Sequence, residues 1–449
     1  MTKRISRRTV LQGAAGGLAV AAVGRSVLGA NEKLHHACIG TGGMGWGDLH
    51  NIKRHPRAQI VALCDVDKGR LDRAAKECPG ARTYTDWREL LAKEGDRIDS
   101  VNVTVPDHMH AVITLAALKR KKHVYCQKPL CHDVAECRTV AAATKKAGVV
   151  TQLGTQAASG KGDLMGVQLL KRGAVGKVRR LILCSNRPGA VEHYRLKGPR
   201  PAQGEKPPAN LAWDLWLGTA PVRPFAPRIY HPTLWRAWLD FGTGWSGDIG
   251  CHIFDAVWKG LGLTAPKTVR ARVQDSWAQS PQRRADNWPQ SDHIVWTFPA
   301  ADNTDGELTV EWFDGHFFPP KEIQEMAEVK NYPGESAMVI GTDGAMLLRH
   351  GGGPRVLPSS KFKGFQYPQV PARNHYHHWV DACLGGEMCE SHFEQTGPMA
   401  ETILLGTVAI RTPGQTLQWD AANLKIPNCP EAEKLLQRTY RKGWEAESV

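Results

Sequence analysis

Residues 37–45 read Ala37-Cys38-Ile39-Gly40-Thr41-Gly42-Gly43-Met44-Gly45, and this run decides the fold. A short apolar strand passes directly into the spacing G-x-G-x-x-G. That spacing places Gly40 in a tight turn and Gly42 where a pyrophosphate must approach the backbone. Gly45 falls where the next helix packs on the strand. Thr41, Gly43 and Met44 complete the loop, and a helix is expected from there to about Arg54. Its N-terminus would offer free N–H groups and a positive dipole end to phosphates. A second apolar run, Gln59 to Cys64, ends in Asp65, twenty residues after Gly45. An acid there accepts hydrogen bonds from an adenosine ribose and repels a 2′-phosphate, so NAD is favoured over NADP. The plainer reading of Asp65 is a strand-end turn residue.

Working outward, Asp99–Val105 reads as a strand ending in Pro106-Asp107-His108-Met109-His110, with a helix through Leu118. A strand His123–Cys126, a helix from about Asp133 to Lys146 and a strand Val149–Leu153 follow. This alternation predicts an α/β Rossmann domain over 33–154, a doubly wound parallel sheet. Ligands of such sheets lie beyond the carboxyl ends of the strands, so Pro106, His110, Gln127 and Lys128 are expected at the cofactor.

After Gly154 the pattern changes. Nine prolines break residues 188–232 into loops. Runs near 176–186, 266–277, 291–298, 306–313 and 336–349 read as strands. The expectation for 155–449 is an α+β domain with a mostly antiparallel sheet. A helix over 245–262 would stand between the domains. Residues 374–385 and 396–410 have helical periodicity and are expected to pack back near the first domain. A homo-oligomer through the second-domain sheet is expected.

The pieces G-T-G-G-M-G (40–45), V-T-V-P-D-H-M-H (103–110), H-V-Y-C-Q-K-P-L (123–130), L-A-W-D-L-W-L-G (211–218) and G-D-I-G-C-H-I-F-D (247–255) stand in a recognisable order. In order and spacing they resemble the Gfo/Idh/MocA family, the glucose–fructose oxidoreductase and inositol dehydrogenase type. The resemblance covers nearly everything after residue 33. It implies an NAD-dependent oxidoreductase acting on a CH–OH group of a small carbohydrate or polyol. It also implies that Lys128, the lysine of a Glu-Lys-Pro signature, sits beside the nicotinamide and the substrate. The family's Asp-x-x-x-His motif maps to Asp248 and His252. One departure stands out: Gln127 replaces the usual glutamate, keeping hydrogen-bonding reach but losing the charge.

Asp248 and His252 are four apart and share one face of a helix. A carboxylate beside an imidazole can hold its tautomer and raise its basicity, which suits a general base taking a carbinol proton. Lys128 would stabilise the same oxygen as it becomes a carbonyl. The bland alternative has Asp248 capping the helix and His252 satisfied in the core. Trp213, Trp216, Trp235, Trp238, Trp245 and Trp258 crowd this region. Most tryptophans at such spacing are core, but Trp235 or Trp238 is expected to line the site, with Arg236 and Asp240 nearby. Arg187, at a strand end, is a weaker substrate candidate. His375-x-His377-His378 lacks the carboxylate or cysteine pattern of a metal site, and no metal is expected.

The chain carries 58 basic against 44 acidic residues. Five of the basic ones lie in the first thirty residues, which hold no acid. The remainder are scattered, without a nucleic-acid motif, so no nucleic-acid partner is expected. Ser6-Arg7-Arg8-Thr9-Val10-Leu11-Gln12, with a weakly apolar Gly/Ala-rich stretch to Gly24 and small residues to Ala30, resembles a twin-arginine (Tat) export signal. It implies the Tat translocase as a partner and a periplasmic destination; a basic tail or a short membrane anchor is the alternative. Eleven cysteines without a C-x-x-C exclude a zinc knuckle, and Cys38, Cys64 and Cys184 fit buried strand thiols. Outside the cytoplasm there is no ready pool of NAD, so the cofactor is expected to be held tightly and recycled in place. Two rival functions stay open: a redox-silent sugar- or NAD-binding protein on the same fold, and a glycoside-cleaving enzyme using transient oxidation.

Overall fold

The computed structural model describes residues 33–187 and 199–447. The region that resembles a Tat signal, with Arg7 and Arg8, lies outside the described residues. Among those described, no helix is long and apolar enough to cross a membrane.

The first domain is a six-stranded sheet of β1 (Leu34–Ile39), β2 (Ala58–Cys64), β3 (Arg82–Tyr84), β4 (Ser100–Val103), β5 (His123–Cys126) and β6 (Thr151–Leu153), in the order β3-β2-β1-β4-β5-β6. Every pairing is parallel. The order reverses beside β1, and the crevice opens at that switch point. Side-chain caps set several of its helices: Asp67 starts Lys68–Glu77, Asp86 starts Trp87–Glu94, and a reciprocal Asp133–Glu136 box starts Val134–Ala147. That last helix ends on Gly148 in the left-handed region.

The second domain holds β7 (Val178–Ser185), β8 (Thr268–Val273), β9 (Asp292–Phe298), β10 (Thr304–Asp314), β11 (Glu335–Gly341), β12 (Ala345–Arg349), β13 (Pro354–Leu357) and β14 (Thr416–Gln418). They form one sheet in the order β13-β12-β11-β7-β10-β9-β8-β14. It is mostly antiparallel, as the alternating runs imply, but β7 and β10 pair in parallel at its centre. The run 336–349 divides into the β11–β12 hairpin, and 266–277 ends in a short helix, Asp275–Ala278.

The helix Gly244–Leu261 is buried along almost its whole length. It packs on β7 and on the helix Phe393–Arg411. Small residues set that approach, since a Cβ on Gly250 would lie 3.1 Å from Ile403. Phe393–Arg411 also lies on Val134–Ala147, where Arg138 pairs with Glu401 at 2.6 Å. The helix His375–Cys383 packs on Met44–Lys53, with the Tyr376 hydroxyl donating to Asp48 at 2.9 Å. The C-terminal helices thus clamp the second domain onto the first.

Candidate active site

At the carboxyl end of β1 the backbone does the shaping. Gly40 has φ +89°, and a Cβ there would sit 1.9 Å from the Thr104 carbonyl oxygen. A Cβ on Gly45 would lie 2.2 Å from the Gly40 oxygen, so the helix Met44–Lys53 can start hard against the turn. Asp65 at the end of β2 accepts from the Thr41 N–H (2.8 Å), the Thr41 hydroxyl (3.0 Å) and the Asp67 N–H (2.9 Å). These bonds lock the glycine loop to the neighbouring strand and hold the carboxylate at the edge of a cavity of about 280 Å³. Gly40, Gly42, Gly43, Met44, Pro106 and Gln127 share its lining. The Arg70 side chain crosses Gly42, where a Cβ would lie 2.2 Å from its Cδ, and its Nε stands 3.5 Å from Asp67.

The other end of the same cavity is built from charged side chains. Lys128, Asp107, Trp235 and Arg236 line it. Lys128 Nζ donates to Asp248 Oδ1 at 2.6 Å, joining the loop after β5 to the helix Gly244–Leu261. Arg236 Nε lies 3.4 Å from Asp248 Oδ2. Burial opposes charge on Asp248, but Lys128 and Arg236 overcome it and hold the carboxyl at about 2. Asp107 meets the opposite balance. Burial, and then the charge of Asp248, push it up to about 8, while Thr243 donates to it at 3.0 Å. Two neighbouring acids therefore differ at neutral pH, one ionised and one holding its proton. His252 follows Asp248 by one turn. Burial first, then Lys128 and His350, push its pKa well below the usual value, so the ring is neutral. Its Nδ1 has no hydrogen-bond partner among the described residues, and its ring lies 5.0 Å from that of His350.

A model described as "Oxidoreductase family, NAD-binding Rossmann fold" matches residues 34–155. A second, "Oxidoreductase family, C-terminal alpha/beta domain", matches residues 168–298. Both belong to Gfo/Idh/MocA, and together they span over half the chain. The chain belongs to this oxidoreductase family. An inositol 2-dehydrogenase of Rubrobacter xylanophilus is 36% identical over 121 residues, 27% of this chain and 34% of that protein. A myo-inositol 2-dehydrogenase of Thermotoga maritima is 28% identical over 162 residues, 36% of this chain and 48% of that one. The chain thus spans about a third to a half of the length of the curated relatives it matches. Among solved structures, the WlbA dehydrogenase of Bordetella pertussis, in complex with NADH and UDP-GlcNAcA, superposes with TM-score 0.59 at 14% identity. It covers 86% of this chain and 99% of its own. The aldose–aldose oxidoreductase of Caulobacter crescentus, complexed with glycerol, gives 0.56 at 17%, covering 86% and 100%. These two likenesses speak for the fold alone.

The first domain of this family member is an NAD-binding Rossmann domain, and its residues fit the cofactor. The tight turn at Gly40, the open backbone at Gly43, the helix start at Met44 and the fixed Asp65 are what a dinucleotide needs. Gln127, the departure from the family's glutamate, donates its amide to both oxygens of Asp48, at 2.9 and 3.1 Å. Asp48 is fully buried and also accepts from Thr104 (2.7 Å) and Tyr376. Burial outweighs those bonds and raises it to about 6. A carboxylate is thus present beside position 127, supplied by the helix after the glycine loop.

Several residues named from the sequence stand elsewhere. His110 is buried between the Pro129 carbonyl (2.6 Å) and the Val105 carbonyl (2.8 Å), a strut joining the two loops that carry Pro106 and Lys128. Trp238 is core: its Nε1 donates to the Ile229 carbonyl and its ring packs 5.0 Å from Tyr230. Asp240 turns away from the groove and pairs with Arg223 and, at 3.7 Å, Arg200. Arg187 lies 5.1 Å over the Trp245 ring and 3.5 Å from Glu335, outside the groove's lining. His375 is held by Ser159 and the Leu153 carbonyl, His377 edges onto His55, and His378 contacts Arg373. Asp48, Arg70, Asp107 and His350 were not singled out from the sequence. Asp48 alone left a helical signal, a charge in the buried stripe Gly45-Asp48-Leu49-Ile52.

Proposed function

We propose that this protein oxidises a ring hydroxyl of a sugar, polyol or glycoside. The observation that carries the reading is the Lys128–Asp248 contact, made across the domain junction where the glycine-loop groove ends. When bound, NAD supplies the hydride acceptor. Asp248 stays ionised and aims the Lys128 side chain. Lys128 donates to the carbinol oxygen and stabilises it as it gains carbonyl character. His252, neutral and with its buried Nδ1 unpartnered, accepts the hydroxyl proton. Arg236, stacked 4.3 Å over Trp235, closes the wall against which a sugar ring would lie. The inositol dehydrogenases among the relatives support the substrate class. The test is a panel of inositols, aldoses and glycosides, following reduced-nicotinamide absorbance and products together. A panel with no absorbance change and no product, despite measurable sugar binding, would leave a redox-silent binding protein in its place.

Two further proposals concern the setting. The Arg7-Arg8 run supports export through the Tat translocase to the periplasm. Replacing both by lysine should leave full-length protein in the cytoplasm, and unchanged periplasmic yield would sink the idea. A periplasmic enzyme lacks exchangeable NAD, so we propose that this one folds around its dinucleotide and retains it between turnovers. Protein that emerges empty from mild dialysis, and consumes free NAD in step with product, would contradict this. We also propose that the outer face of the second-domain sheet joins two copies, which a monomeric mass in solution would disprove.

A further inference from the structure

A second cavity of about 360 Å³ lies behind the groove. His132, Asp133 and Val134 of the first domain wall one side, Leu239, Asp240 and Trp288 of the second wall another. The C-terminal segment Lys434–Thr439 covers it, and Arg411, the last residue of the helix Phe393–Arg411, closes it.

Its charges are unevenly matched. Arg438 is satisfied by Glu136 at 2.7 Å and the His108 carbonyl at 2.6 Å. Asp240 is paired with Arg223. Asp133 caps its helix and accepts the Arg438 N–H. Arg411 is different. Its guanidinium is largely buried, which lowers its pKa, and it has no side-chain hydrogen bond or ion pair among the described residues. Lys434, exposed at the rim, has none either. Inside, His132 Nε2 is buried without a partner, and the ring lies against the Leu239 carbonyl. A buried cation without a counter-charge is costly, and removing it is usually stabilising. The negative end of its own helix offsets part of that cost, but Arg411 bonds none of the last carbonyls.

We propose that this cavity is a binding site for a small organic anion held by its oxyanion group, a phosphate ester or a carboxylate. The planar fork of Arg411 takes two oxygens side by side. Lys434 adds charge at the mouth. Trp288, Leu239 and Leu404 receive the carbon body.

The test uses the full protein saturated with NAD, so that the glycine loop cannot compete for anions. Inorganic phosphate and malonate are titrated separately by calorimetry, and melting temperature is followed in parallel. At least one of them should bind one per chain and raise the melting temperature. Binding only phosphate assigns a phosphate ester, and binding only malonate a carboxylate. Affinity should fall about tenfold or more in Arg411→Met and about threefold in Lys434→Ala, a surface change that leaves folding intact. Anion-free Arg411→Met should melt no lower than the parent. The proposal is overturned if neither anion binds the NAD-loaded parent, or if Lys434→Ala and Arg411→Met bind as the parent does. A lower anion-free melting temperature in Arg411→Met would also overturn it, by making Arg411 a structural cation.

Discussion

The two ends of the groove solve different problems by different means. At the β1 end the surface is made of backbone: Gly40 at positive φ, Gly45 against its carbonyl, and a helix N-terminus, with Asp65 tied down by Thr41. At the domain junction it is made of buried charge, with Lys128 and Arg236 facing Asp248 while Asp107 nearby keeps its proton. A backbone cradle tolerates no substitution where a Cβ does not fit, but it is insensitive to pH. A charged junction tolerates many shapes but depends on every partner. Recognition of the dinucleotide and chemistry on the substrate should therefore fail independently.

The largest expected effect tests that separation directly. Lys128→Met keeps much of the side-chain length and removes the ammonium. Loss of such a group typically costs about 10²–10⁴ in rate, so kcat should fall by that order once a substrate is known. NAD affinity should stay within about threefold, because the glycine end is untouched. His252→Ala should behave alike if it takes the proton. If either variant loses NAD binding in proportion to activity, the two ends act as one unit.

A smaller effect is expected at the ribose. Asp65 should favour NAD, but Arg70 already lies across Gly42 and could face a 2′-phosphate once the acid is gone. Asp65→Ala should therefore narrow the NAD-over-NADP preference about tenfold, read from titrations of cofactor-free protein. An unchanged preference would show that the Asp65 carboxylate serves only to fix Thr41.

The glycine end was legible because its geometry is local. Three glycines at fixed spacing dictate the turn, and the acid twenty residues on follows from one βαβ unit. The second sheet was legible as runs, but not as pairings. The parallel β7–β10 contact joins residues more than a hundred apart, and β13 and β14 are too short to leave a pattern. At the junction, Lys128 and Arg236 both meet Asp248. Trp238 and Asp240 do not, because the chain turns tightly after the 3-10 segment Leu234–Ala237 and sends successive side chains to opposite sides. Nearness in sequence was no guide there. Asp107 lay within a quoted motif, yet its significance depends on Asp248, 141 positions away in sequence, and only the fold supplies that neighbour.

The last effect is on stability alone, a small shift in melting temperature, and is expected where the two ends meet, at Asp48. This carboxyl links the helix of the glycine loop to the lysine-bearing loop through Gln127, and to the second domain through Tyr376. Burial raises it to about 6 in the folded protein, against about 3.9 for an exposed aspartate. Between those values the folded state holds a proton that the unfolded chain has released. Where the folded state binds more protons, stability falls as pH rises. The contribution of Asp48 should therefore be greatest below about pH 4 and be lost by about pH 6–7. Asp48→Asn carries no titrating proton and keeps a carbonyl oxygen for the Gln127 amide. The parent should lose more stability than this variant between pH 4 and pH 7, by about 2 kcal/mol, or about two degrees in melting temperature for a chain of this size. Parallel pH curves for the two proteins would mean that Asp48 is ionised throughout. In that case Gln127 is held by a full charge, and this member has moved the family's carboxylate to the next helix rather than dispensed with it.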